Sequence, residues 1–292
     1  MGIRKISTYS VAGILSLAIV VGLTAQVMAA TKVNLGTAAN FAVLAGTAVT
    51  NIPTSVITGD VGLSPASGSN YAGLTQAQVT GTIFAVDGAG PGGSVNNPGL
   101  LTIAKNDLTA AYIEAAGQTP TQTFVAGDNQ LGGQSLTAGV YAFGHATSAN
   151  ITAANPLILN GQGNPDAVFV FQASSDLITA SGSVVQLING AQACNVFWQV
   201  TSSTTLGTNS TFVGTIMSLT TATMATGASL QGRILSRNGA VNLSSNTITR
   251  PTTCTTTSGG TGGSGSGGST VPGVPNTSRS SSMLPRAFPA SL

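Results

Sequence analysis

From residue 98 to residue 120, apolar side chains return every third or fourth position, a rhythm found nowhere else in the chain. Leu100, Leu101, Ile103, Ala104, Leu108, Ala111, Tyr112 and Ala115 keep that spacing, which sets them along one stripe of an α-helix. Pro98 stands near the start, and Gly117 and Pro120 at the end, where such residues open and stop helices. The pattern predicts a helix over about 99–116 whose apolar stripe must lie against something large.

Elsewhere the rhythm is that of strands. FAVLAGTAVT and SVITGDVGLS, within 31–63, read as short strands separated by turns. Residues 64–97 read as loop, broken most clearly by GAGPGG at 88–93, with one short helical turn in LTQAQVTGTIFA. From about 131 to 250 the runs are short, β-prone and divided by glycine, and a period emerges. Laying STFVGTI (210–216) over ASLQGRI (228–234) sets Phe212 on Leu230, Gly214 on Gly232 and Ile216 on Ile234, an offset of 18. CNVFWQV before it and AVNLSSNTI after it fit with a shift of one. A repeat of about 18–19 residues suits one coil of a β-solenoid with three short faces, stacked on the next coil at ~4.8 Å. A β-sandwich is the other architecture the pattern allows.

The two ends differ from this body. MGIRKISTYS carries positive charge, VAGILSLAIVVGLTA is apolar and VMAA is small, the layout of a secretory signal peptide over 1–30, cut after Ala29 or Ala30. No later segment is apolar for long enough to cross a bilayer, so the mature chain, a domain over 31–254, is expected outside the cell and off the membrane. Residues 255–292 are Gly/Ser/Thr-rich, then Pro-rich, a composition that predicts disorder.

Composition narrows the chemistry. Charged residues are 5% of the chain, against roughly 25% in ordinary soluble domains. The formal charge of +2 includes Arg4 and Lys5 of the leader, so capture of nucleic acid by clustered cations is excluded. The acids Asp60, Asp87, Asp107, Glu114, Asp128, Asp166 and Asp176 are scattered, with no strand-alternating pair of the kind a glycosidase needs. His145 has no partner acid in sequence and reads as a surface histidine, and GAGPGG lacks the GK[ST] ending of a phosphate loop. Neither catalysis nor a cofactor or metal is expected. In an exported chain the only two cysteines, Cys194 and Cys254, are expected to form one disulfide.

What remains is a crowd of hydroxyl-bearing side chains. In LTTATMATGASLQGRILS (219–236), if Ala222 and Met224 point inward, Thr221 and Thr223 point out. The same alternation turns out Ser203 and Thr205 one coil earlier, Ala240 and Asn242 one coil later, and Asn150 and Thr152 around an inward Ile151. These positions form two files of small residues, ~4.8 Å apart between coils and ~6.7 Å along each strand, both close to oxygen repeats in ice. A rigid, weakly charged array of methyls and hydroxyls can hold ordered water and merge it with a crystal surface.

NLGTAANFAVLAGTAVTN, TSVITGDVGLSPASG, VFVFQASSDL, CNVFWQVTSSTTLGTNSTFVGTI and LQGRILSRNGAVNLSSNTIT, together about 33–250, closely resemble the microbial ice-binding proteins of the DUF3494 type. The resemblance implies a mainly β fold: an irregular right-handed β-solenoid, triangular in section, with one long α-helix packed alongside. It also implies adsorption to an ice crystal surface through a flat solenoid face, lowering the freezing point and inhibiting recrystallisation, with no cofactor; a monomer is expected. Some members carry T-A/G-x-T/N on that face; TSAN (147–150) and TTAT (220–223) match it loosely, while Asp176 and Ile178 depart from it and narrow the usable area. A non-catalytic adhesive or structural module of the cell surface is the alternative reading of such a scaffold, and a polysaccharide-active β-helix enzyme a third.

Overall fold

A computed structural model describes residues 29–125, 127–144, 149–252 and 254–255, all within one unit of the chain, Met1–Thr257. Nearly all of the predicted leader, His145, Thr147 and Ser148, and the predicted tail beyond Thr255 lie outside the described residues.

The chain winds through three parallel sheets. All pairings within them run strand to strand in one direction, with no hairpin among the described residues. One face runs from Val95–Asn96 through Phe41–Ala45, Ser229–Ser236, Thr211–Ser218, Val196–Val200, Phe169–Ala173 and Gly139–Phe143 to Gln122–Phe124. A second face holds seven short strands, from Ala149–Ile151 to Tyr71–Ala72. The third begins with Ser135–Leu136, Leu157–Asn160 and Val185–Ile188 and continues through the bridge of Val184 to Thr211. This is the solenoid expected from the period, and the offset of 18 is real: Phe212 pairs with Leu230, Gly214 with Gly232 and Ile216 with Ile234. Glycine recurs there because a β-carbon on Gly232 would stand 1.8 Å from the Gly214 carbonyl oxygen.

Space order is not chain order. Strand Phe41–Ala45 pairs with Asp60–Leu63 on one side and with Ser229–Ser236 on the other, Val43 facing Ile234. The first coil therefore abuts the last, in mid-solenoid. A helix, α1 (Pro98–Ala116), carries the chain between the two halves. At 1.5 Å per residue its 19 residues span about 28 Å, enough to cover six strands at ~4.8 Å. The Asn97 side chain caps it by accepting from the Leu100 N–H at 3.0 Å. Leu101, Ala104, Leu108, Ala111, Tyr112 and Ala115 are buried, as the stripe predicts, but Ile103, assigned to the same stripe, is 54% exposed. They lie against outward apolar residues of six strands: Leu44, Leu235, Met217, Phe197, Val170 and Val140. Those strands are covered on both sides, which is why VFW and FVF are apolar at three successive positions without alternation.

Inside the solenoid, Tyr141, Phe171 and Trp198 stack by register, the last two rings 3.9 Å apart between centroids. The indole N–H donates to the Val213 carbonyl at 2.9 Å, so the buried polar edge is satisfied. Cys194 and Cys254 are joined in a disulfide, which on loop-closure entropy contributes about 4 kcal/mol. Residues 64–97 differ from the predicted loop. They carry the strands Tyr71–Ala72, Val79–Thr80, Ile83–Ala85 and Val95–Asn96, each too short to show alternation. The helical turn within them is a 3-10 turn, Gln76–Gln78.

Candidate functional site

The seven-stranded sheet presents a regular surface with little charge. Its three-residue strands repeat one burial pattern, first and third positions inward and the middle one outward. Inward positions are apolar, or polar with a partner. The Thr204 hydroxyl shares a 2.7 Å hydrogen bond with Ser218, and Asn51 accepts from the Ser55 N–H at 2.9 Å. The sheet is thus held from beneath, and its outward side chains inherit a fixed register.

That register sets the middle residues in one file: Asn150, Ile178, Thr205, Thr223, Asn242, Thr50 and Ala72. A second file lies one alternation upstream. Backbone hydrogen bonds to the carbonyls of Asp176, Ser203, Thr221, Ala240 and Ala48 link each strand to the next and bring these residues into line. Ser203, Thr205, Thr221, Thr223, Ala240 and Asn242 come together as the sequence suggests.

Asn150 and Thr152 do not fall as expected. Ile151 is inward, but Ala149 is inward too, and Asn150 pairs with Ile178 and so joins the file of Thr205. Thr152 is exposed in a third row, beside Ala180. The reason is physical. Ala149 is too small to mark itself as buried, and the coil that carries Asn150 round to Ile178 is much longer than the repeat, so the period gives no register there. Thr50 and Ala72, with Ala48 beside them, were missed outright. The signal for Thr50 was present, since AVTN (48–51) repeats the small–apolar–polar order of AVNL (240–243). That the two lie side by side follows only from the meeting of first and last coils.

Charge is confined to one end. Asp176 accepts from the Ser203 hydroxyl at 2.7 Å, from the Ser203 N–H at 3.0 Å and from the Ser175 hydroxyl at 3.2 Å. Burial raises this carboxyl, but hydrogen bonds from Ser203, Ser202 and Ser175 outweigh it and hold the group below the ordinary carboxylate range. Ile178 is 43% exposed beside it. From Ser203 to Ala72 the two files carry no ionisable group. Among the described residues no three of His, Cys, Asp or Glu gather as metal ligands, and no helix is long and apolar enough to cross a membrane.

The sequence profile described as Ice-binding-like matches residues 43–249. An ice-binding protein of Flavobacterium frigoris (strain PS1) is 41% identical over 219 residues, 75% of this chain and 76% of that one. One of Nostoc sp. (strain HG1) is 42% identical over 215 residues, 73% and 72% of the two chains. Among solved structures, the DUF3494 domain of an ice-binding protein from Shewanella frigidimarina superposes with a TM-score of 0.69 at 31% identity, over 77% of this chain and 100% of that one.

Proposed function

The chain belongs to the Ice-binding-like family, and from that premise we propose that it adsorbs to ice through the seven-stranded sheet. The contact surface is the part from Ser203 and Thr205 through Thr221, Thr223, Ala240 and Asn242 to Ala48, Thr50 and Ala72. The observation that carries this reading is the register: five neighbouring strands align small uncharged Thr, Asn and Ala side chains in one file, and four of them add Ser, Thr and Ala in a second. Strand geometry spaces them ~4.8 Å apart across the sheet and ~6.7 Å along it. Each contact with ordered water is weak, but many form at once on side chains that need little reordering, the general advantage of preorganisation.

Asn150 extends the central file, but Ile178 and the charged Asp176 interrupt the surface before it, and Thr152 lies a row away. The chain acts as an exported monomer after loss of residues 1–30, without catalysis or cofactor. The test is the shape of a single ice crystal grown in purified protein. The Thr221→Tyr, Thr223→Tyr double variant should yield plain discs while its circular dichroism matches the parent. Faceted crystals from a folded double variant would refute the face.

A further inference from the structure

On another side of the molecule the start of the domain meets its end. A cavity of about 520 Å³ opens there between residues 32–36, Phe197, Arg233, Arg250, Pro251 and Thr252, beside the disulfide. Among the described residues its lining carries three cations, Lys32, Arg233 and Arg250, and no acid. The nearby Asp107 is turned to another task, accepting from the Thr37 N–H at 2.7 Å.

The two arginines are unusual in a chain with so few charges. Arg233 is only 6% exposed, and its partners are all neutral: the Ala39 carbonyl at 2.9 Å, the Thr215 hydroxyl at 3.3 Å and the Pro251 carbonyl at 3.3 Å. Arg250 donates to the same Ala39 carbonyl at 3.4 Å, and its Nε is buried with no partner among the described residues. A guanidinium has five N–H donors, so most of those on Arg250 are uncommitted. Burial, and then the like charge of Arg250, pull Arg233 down to about 10, the opposite of what a carboxylate neighbour would do. Buried cations ordinarily have a paired anion, because isolated charge is costly to remove from water.

We propose that this cavity is an oxyanion-binding site, in which Arg250, Arg233 and Lys32 hold the carboxylate, phosphate or sulfate group of a small solute. Paired guanidiniums suit such groups because their planar N–H forks meet two oxygens at once. Residues 256–292 contain no acidic side chain, and the anion is assigned to a solute. Once bound, it ties the first residues of the domain to its last strand.

The full chain is heated in sodium phosphate, sodium sulfate or sodium butyrate, with sodium chloride at equal ionic strength as reference. At least one of the three should raise Tm saturably, by about 3–5 °C at tenfold excess over Kd, with chloride inert. A response to phosphate or sulfate alone identifies an inorganic oxyanion. A response to butyrate alone identifies a carboxylate whose chain lies along Val33 and Leu35. Arg250→Gln should raise the half-saturating concentration about tenfold, the loss of one charge-assisted hydrogen-bonding partner. Lys32→Gln, on an exposed side chain, should raise it by less and decides the matter if Arg250→Gln does not fold. Both variants keep ice shaping, so this site fails or stands apart from the face. An equal rise in chloride, or a folded variant that responds like the parent, overturns it.

Discussion

Ser203 shows how little of an outward residue need be available. Its side chain stands at the edge of the proposed surface, its hydroxyl hydrogen given to Asp176 at 2.7 Å and its oxygen left to accept from water. The Asp176 carboxyl is held below its unfolded value of about 3.9, so its contribution to stability is present above that pH and is lost as pH falls through the folded value. Thermal denaturation of the parent and of Asp176→Asn should therefore differ at pH 6, by no more than about 1 kcal/mol given the group's exposure, and converge at pH 2. A gap that persists at pH 2 would mean that packing, not charge, sets it. At this scale the sequence was legible where alternation involved large side chains: Met224 and Leu206 identify their inward positions, and with them Thr223 and Thr205 as outward. It was illegible at Ala149, whose burial leaves no mark in its size, and Asn150 shifted file as a result.

Among the elements, α1 was the most readable, because six buried residues at helical spacing leave no strand alternative. Leu108 is wholly buried between the helix and the solenoid, so Leu108→Ala should cost about 2–4 kcal/mol, seen as a lower urea midpoint at unchanged slope. A loss below half a kcal/mol would show that the helix is not needed to cover that face. Lys105 supports the same docking, donating to the Ser236 and Arg237 carbonyls at 2.8 and 2.6 Å. The strands of residues 64–97 were invisible for the converse reason. Two-residue strands such as Tyr71–Ala72 exist only because a longer neighbour templates them, and no local pattern can announce that.

For the whole molecule, the repeat revealed coils but not their order. The helix returns the chain along the solenoid so that Val49–Asn51 pairs with Val241–Leu243, strands from opposite ends of the domain sequence. That closure puts Thr50 and Ala72 on the same surface as Thr205 and Thr223, giving five consecutive strands of uncharged files in place of three. Adsorption by many weak contacts makes the extent of this surface decisive, since each blocked coil removes contacts that only act together. Thermal hysteresis of Thr50→Tyr, compared with Asn106→Tyr on the exposed side of α1, tests that claim most directly. The account predicts that Thr50→Tyr loses most of the parent's hysteresis while Asn106→Tyr retains it, both folded; full hysteresis in Thr50→Tyr would contradict it.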